Sequence, residues 1–328
     1  MFTGKNTALK FLFFGPPITA LSLVENQIPI PTNHDIIVKM IARPINPSDI
    51  LSIRGEGGYR SSINLPAVPG FEGIGKVVSC GRLVNLELGQ RVLVARGEGT
   101  WQEYVKMPAD EVVVVPNYIP DEYAAQLYIN PLTAWLIVTN KISKGDLVVG
   151  NAANSTMGRL FCQLSKIFGF DFVAIVRNAS HEKDLLRLGA KHVITSQDGD
   201  IKSKILDFTK NRLPNVVLEA VGGTHGMHLS ECLSPEGKCI IYGNLSMQLY
   251  SSQCPHTELF YLREWIYCHS PTERTLEVTK LMHFLWENRI ELPVAEKIPL
   301  VDFQRAIHLS ESTETPSGRN GKIILTSM

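Results

Sequence analysis

The run Leu147-Val148-Val149-Gly150 leads into Asn151-Ala152-Ala153-Asn154-Ser155-Thr156-Met157-Gly158, after which apolar residues recur at Leu160, Phe161, Leu164, Ile167 and Phe168. The pattern predicts a strand, a tight turn of small residues and a helix. Such a junction could hold a pyrophosphate. Small side chains let phosphates approach the backbone, and the helix start offers unpaired N–H groups at the positive end of its dipole. Of a Gly-x-Gly-x-x-Gly loop only the last glycine, Gly158, is present. By itself the loop fits a strand–helix unit that binds nothing equally well. A second apolar run, Phe172-Val173-Ala174-Ile175-Val176, ends at Arg177, with no acid between there and Glu182. At that place an acid suits a free ribose 2′-hydroxyl and an arginine suits a 2′-phosphate, so Arg177 points to NADPH as the cofactor.

These residues need a sheet to position them. From about Tyr123 to Cys268, strand candidates (Leu147–Gly150, Phe172–Val176, His192–Ile194, Val216–Glu219, Cys239–Tyr242) alternate with helical stretches near 125–140, 157–168, 180–188, 201–210 and 225–233. Alternation of this kind predicts crossover units and a parallel sheet. Ligands sit beyond the carboxyl ends of such strands, which adds Ala220 to Gly223 and Tyr242-Gly243-Asn244 to the candidate contacts. The first 125 residues read differently, with short β-branched strands at Leu9–Phe14, Asp35–Ile41, Gly73–Val78, Arg91–Val94, Trp101–Lys106 and Val112–Val115 between glycine and proline turns, one of them Arg96-Gly97-Glu98-Gly99. A helix at Thr275–Glu287, a polar loop at Ser310–Asn320 and a strand at Lys322–Thr326 close the chain.

Composition narrows the function classes. At 328 residues the length suggests about two domains. Formal charge is zero, from 32 basic and 32 acidic residues without a basic tract, which argues against nucleic acid or an anionic membrane as partner. Six scattered cysteines without a Cys-x-x-Cys pair fit neither a disulfide framework nor a structural zinc cluster; reduced thiols in a cytoplasmic protein are the expectation. Phe11 to Phe14 follow Lys5 and Lys10, but four apolar residues are too few for a signal-peptide core. Nine histidines form no His-Glu-x-x-His pattern.

Several further stretches stand in one order along the whole chain. They are Ile45-Asn46-Pro47-Ser48-Asp49, Pro69-Gly70-Phe71-Glu72-Gly73-Ile74-Gly75, Asn130-Pro131-Leu132-Thr133-Ala134-Trp135 and Leu188-Gly189-Ala190-Lys191-His192-Val193-Ile194. Together they resemble the medium-chain dehydrogenase/reductase superfamily, in its zinc-free branch. The resemblance implies an α/β architecture: a Rossmann parallel-sheet cofactor domain over 124–269, and a mostly β, GroES-like catalytic domain over 1–123 and 270–328. Zinc-dependent members carry a cysteine and a histidine where this chain has Asn46 and Phe71. Neither residue replaces a thiolate or imidazole, so no metal is expected.

Within the branch the chain is most similar to the 2-enoyl thioester reductases of the mitochondrial type. Gly58-Tyr59 lies seven residues before Pro66, as the proton-donating tyrosine of that group does. Gly99-Thr100-Trp101, Asn151 to Ser155, Trp265 and His269-Ser270-Pro271 match further stretches, while Thr156 and Arg60 depart from the pattern. The resemblance implies hydride delivery from NADPH to the β carbon of an activated alkene, with Tyr59 protonating the α carbon. It also implies a homodimer acting on a small molecule, either an enoyl thioester or a quinone or enone. A silent NADPH-binding protein is a further alternative.

For the remaining candidates two readings stay open. Asn46 orients substrate or nicotinamide, or is a turn residue before Pro47. Trp101 lines the substrate cleft or fills a core. Asn130 meets the cofactor or caps a helix. Tyr242 and Tyr261 flank the nicotinamide or simply pack. Asp49 and Glu72 are expected to be structural, paired with an interior arginine, and Lys322 to be solvated rather than on a phosphate.

Overall fold

The computed structural model describes residues 4–95, 99–196, 200–248, 254–312 and 321–327. The expected turn at Arg96-Gly97-Glu98 and most of the expected loop after Ser310 lie outside them. The chain forms two compact units, Met1–Ile129 with His269–Met328, and Asn130–Cys268.

The first unit opens with β1 (Lys5–Phe11) and β2 (Leu21–Gln27), paired antiparallel, followed by β3 (Asp35–Pro44), β4 (Glu72–Cys80), β5 (Arg91–Ala95), β6 (Tyr104–Pro108) and β7 (Val113–Val114). The second unit holds β8 (Leu147–Gly150), β9 (Asp171–Val176), β10 (His192–Thr195), β11 (Val216–Glu219), β12 (Lys238–Ile241) and β13 (Thr257–Leu259). The chain then returns to the first unit with β14 (Val294–Pro299) and β15 (Lys322–Thr326).

In the second unit the strands are all parallel, in the order β10-β9-β8-β11-β12-β13. This is the doubly wound order, with β8 first in sequence and the direction of winding reversing between β8 and β11. Leu147, Val148, Val149 and Gly150 are all buried, as a strand covered by helices on both faces requires. The helix Thr156–Phe168 follows, starting at the Ser155 cap and stopping at Gly169 in the left-handed conformation (φ 73°). Its residues Leu160, Phe161 and Leu164 are buried as expected, whereas Ile167 is largely exposed.

The sheet of the first unit runs β14-β15-β3-β4-β5-β7, with β6 also on β3. Long β3 is its spine, pairing with β15, β4 and β6. One core gathers Phe11, Ile53, Trp101, Ile298, Ile307 and Leu325; another lies under β3, β4 and β5.

Several elements of this fold were not expected from the sequence, among them β2, β13, β14 and the helices Pro47–Arg54, Leu262–Cys268 and Phe303–Glu311. β2 and β14 carry Glu25, Asn26 and Gln27, and Glu296 and Lys297, on strands with few fully buried positions, which dilutes the apolar alternation. The expected strand Leu9–Phe14 instead begins at Lys5 and ends at Phe11, leaving Leu12 and Phe13 exposed ahead of the Gly-Pro-Pro turn. No helix among the described residues is long and apolar enough to cross a membrane.

Candidate functional site

In the first unit the end of β3, the start of β4 and the start of β15 bring together four polar side chains that the sequence scatters over almost its whole length. Asn46 follows β3 and immediately precedes the helix Pro47–Arg54, with Pro47 at the position where a missing N–H costs nothing. Asp49, in the first turn of that helix, reaches back: its Oδ2 accepts the Asn46 backbone N–H at 2.7 Å, and its Oδ1 accepts the Phe71 N–H at 3.1 Å. The Asn46 amide is engaged at both ends. Its Nδ2 donates to Glu72 Oε1 at 2.7 Å, and its Oδ1 accepts from Lys322 Nζ at 2.5 Å. Glu72 Oε2 accepts the N–H groups of Tyr128 and Ile129, both at 2.9 Å.

Two expectations are corrected here. Lys322 is not solvated, since only 8% of it is exposed. Asp49 and Glu72 are not paired with an interior arginine. Arg43, the fully buried arginine on neighbouring β3, instead meets Glu103, Ser327 Oγ and the Gln102 carbonyl. The reason is register: Arg43 lies opposite Leu325 of β15, three residues beyond Lys322, so the lysine and not the arginine faces Asn46. Asn46 is the N-cap of the helix Pro47–Arg54, and its amide bonds Glu72 and Lys322.

The cluster holds two carboxyls and one ammonium out of water. Burial pushes Asp49 up to about 7, helped by the Glu72 carboxylate and opposed by the N–H groups of Asn46 and Phe71 and by Lys322. Burial also raises Glu72 and lowers Lys322. A proton on Asp49, which the raised value favours, would remove the excess negative charge. Because the folded state holds that proton more tightly than the unfolded chain, Asp49's contribution is fully present below its ordinary value of 3.8 and is lost as pH rises to about 7. Urea titrations at several pH values should therefore show wild-type stability falling relative to Asp49→Asn across that window, by about a few kcal/mol. A pH-independent difference would remove the proton from Asp49.

Tyr59 opens a short 3-10 turn, Tyr59–Ser61, after Gly57 (φ 59°) and Gly58 (φ 81°). It is half-buried, and its ring stacks on that of Phe71 with centroids 5.6 Å apart and planes 25° apart. Trp101 belongs to the core of this unit, 0% exposed, its Nε1 without a hydrogen-bond partner among the described residues. Its indole packs among the apolar residues of that core.

The second unit carries the phosphate-loop candidates at the point where the sheet reverses. Ala152 takes φ 48°, turning the chain after β8, and the Ser155 hydroxyl caps the helix by accepting the Gly158 N–H at 3.3 Å. The N–H groups of Thr156 and Met157 meet no carbonyl among the described hydrogen bonds, as first-turn donors do not. The Asn154 Oδ1 atom is buried without a partner among the described residues. A Cβ on Gly158 would lie 2.3 Å from the Ala153 backbone, so helix and loop can approach this closely only with glycine there. The N–H groups at the helix start and the close-packed backbone fit a pyrophosphate. The Met157 side chain turns inward and is buried, leaving its backbone N–H as the group on offer.

Asn151 links two strands. Its Nδ2 donates to the buried Glu219 Oε1 at 2.6 Å, and its Oδ1 accepts the Ala220 N–H at 2.8 Å. Glu219 also accepts the N–H groups of Val221 and Gly222. The amide thus ties the end of β8 to the end of β11, work for which a glycine has no side chain. Arg177 stands exposed just past β9. Tyr242 follows β12, half-buried, edge-on to Phe161 at 5.6 Å, its hydroxyl without a partner among the described residues. Gly243 comes next, and a Cβ there would meet Ala220 at 3.2 Å. Asn130 is the first residue of the helix Asn130–Lys141, and Tyr261 is 58% exposed immediately before Leu262–Cys268.

Residues 32–117 match the family described as alcohol dehydrogenase GroES-like domain, and residues 156–283 the family described as zinc-binding dehydrogenase. The mitochondrial enoyl-[acyl-carrier-protein] reductase of Rattus norvegicus is 32% identical over 318 residues, covering 92% of this chain and 85% of that protein. One from Caenorhabditis elegans is 34% identical over 256 residues, covering 76% and 73%. This chain belongs to the medium-chain dehydrogenase/reductase superfamily. Among solved superfamily structures, a Bacillus thuringiensis protein provisionally named NADPH:quinone reductase superposes with TM-score 0.93 at 36% identity, covering 99% of this chain and 100% of the other. The Escherichia coli quinone oxidoreductase complexed with NADPH gives TM-score 0.85 at 25% identity, covering 98% and 99%. The zinc in the superfamily description does not suit the residues present. Asn46 and Phe71 offer neither thiolate nor imidazole, the Lys322 ammonium repels a cation, and the oxygens of Asp49 and Glu72 are turned to N–H groups.

Sequence reasoning did not foresee the Glu219 clamp, the Lys322 contact or the Tyr59–Phe71 stack. Glu219 left one signal, an acid ending the apolar run Val216-Val217-Leu218. The other two join residues far apart in sequence or on a loop, and no local pattern encodes them.

Proposed function

We propose that this chain reduces the activated carbon–carbon double bond of 2-enoyl thioesters, carried on coenzyme A or an acyl carrier protein, using NADPH and no metal, in fatty acid metabolism. The observation that carries the reading is the half-buried Tyr59 phenol stacked on Phe71, next to a buried cluster whose two carboxyls already accept hydrogen bonds from backbone N–H groups and from Asn46. It is supported by similarity to enoyl-[acyl-carrier-protein] reductases over 85% of the length of the rat protein. The Thr156 and Met157 N–H groups and the Asn154 amide would hold the pyrophosphate, and Arg177 the 2′-phosphate. When bound, NADPH supplies the hydride. Tyr59 gives its hydroxyl proton to the α carbon and recovers one from water.

A coupled NADPH assay over crotonyl-CoA, longer enoyl thioesters, simple enals and simple quinones tests this. Enoyl thioesters should have the highest kcat/KM. A quinone preference would support the second reading, a quinone or enone reductase, which the Bacillus thuringiensis structure favours. NADPH binding without oxidation by any acceptor would support a silent nucleotide-binding protein. Arg177→Ala should lower the NADPH-over-NADH preference by about 10- to 100-fold, the worth of hydrogen bonds to a charged group. An unchanged ratio of the two dissociation constants would dismiss Arg177 as the selector.

A further inference from the structure

We propose that Phe71 is a positioning residue for Tyr59, and that the buried Asn46–Asp49–Glu72–Lys322 cluster serves the reaction by fixing Phe71. The inference rests on Tyr59 as proton donor. Tyr59 sits at the end of Gly55-Glu56-Gly57-Gly58, where three glycines take positive φ and a Cβ on Gly58 would touch nothing within 4 Å. The turn is closed by the Tyr59 N–H on the Glu56 carbonyl and by the Ser62 and Ile63 N–H groups on the Tyr59 carbonyl, but these bonds do not set where the side chain points. A phenol that must meet one carbon atom therefore needs contacts from elsewhere, because a misplacement of about 1 Å can cost a hundredfold in rate.

Phe71 supplies such a contact, ring face to ring face at 5.6 Å and 25°. Its own place is well determined. The Phe71 N–H donates to Asp49 Oδ1, Asp49 Oδ2 accepts the Asn46 N–H, and the Asn46 amide bridges Glu72 and Lys322. Glu72 is the next residue in the chain and starts β4. The link from sheet to phenol thus runs from β15 and β4 through the cluster to the Phe71 backbone, and through the Phe71 ring to Tyr59. On the other side Arg60 lies over the Phe14 ring at 5.0 Å, bracing the turn that Tyr59 begins.

A double-mutant cycle on the full chain tests the role, with kcat, the KM for crotonyl-CoA and the NADPH dissociation constant measured for wild type, Phe71→Leu, Tyr59→Phe and the double variant. Phe71→Leu keeps apolar bulk and removes the ring face. Its kcat should fall roughly tenfold while NADPH affinity is unchanged. In the Tyr59→Phe background it should have no further effect on kcat, since a residue acting through the phenol has nothing left to position. Phe71→Tyr, which keeps a ring, should restore most of the turnover and also serves if the leucine variant folds poorly. An equal loss of kcat in both backgrounds would overturn the inference, leaving Phe71 a packing residue. Wild-type kcat in Phe71→Leu would overturn it too. Wild-type kcat in Tyr59→Phe would instead overturn the donor reading beneath it.

Discussion

Tyr59→Phe should lower kcat for enoyl thioester reduction about a hundredfold and leave NADPH binding unchanged. The substitution removes one oxygen and keeps the ring, so the stack on Phe71 at 5.6 Å survives and the turn Tyr59–Ser61 keeps its shape. In the proposed reaction, what disappears is the proton for the α carbon. Water can still deliver one, less well oriented, which is why activity falls rather than vanishes. Steady-state rates with crotonyl-CoA and a fluorescence titration of NADPH check both halves. Unchanged turnover removes Tyr59 from the reaction, and weakened NADPH binding with unchanged turnover gives it a different task.

Lys322→Met should cost about 3–5 kcal/mol of folding stability, because removing one member of a buried charged group strands the others. With the ammonium gone, Asn46 Oδ1 loses the hydrogen bond from Lys322, and Glu72 and Asp49 face each other without that cation. The methionine fills similar space, so the loss is electrostatic rather than a cavity. Urea denaturation should show a lower midpoint at an unchanged slope. The deficit should shrink as the pH is lowered, since protonated carboxyls no longer need Lys322. Lys280→Met provides the contrast: that lysine is exposed beside Glu277 and should change stability by less than about 1 kcal/mol. Equal effects at the two sites would show that the Lys322 cluster does not behave as a buried ion group.

Much of the architecture was legible because it repeats a local pattern. The strands Leu147–Gly150 and Val216–Glu219 appear in the structure with the bounds their apolar runs predicted. Ser155 and Gly169 bracket the helix between them, a start and stop that a single sequence displays. The superfamily was legible for a similar reason, since its motifs are short and keep their order along the chain. β2 and β14 were missed because exposed polar residues break their alternation, and Pro47–Arg54 because only eight residues give a weak helical period.

By itself the sequence determined the parallel-sheet unit, the strand–turn–helix junction at 151–158 and the place of Arg177 after an apolar strand. Each depends on residues within a few positions of one another, where side-chain period and backbone preference act directly. Tertiary structure alone decided that Lys322 meets Asn46, that Glu72 accepts from Tyr128 and Ile129, that Asn151 clamps Glu219, and that Phe71 lies under Tyr59. Those contacts depend on the register of β15 against β3 and on the order of strands in each sheet. Register changes which face a side chain takes with every one-residue shift, so which polar groups share a buried space is settled only when the strands pair.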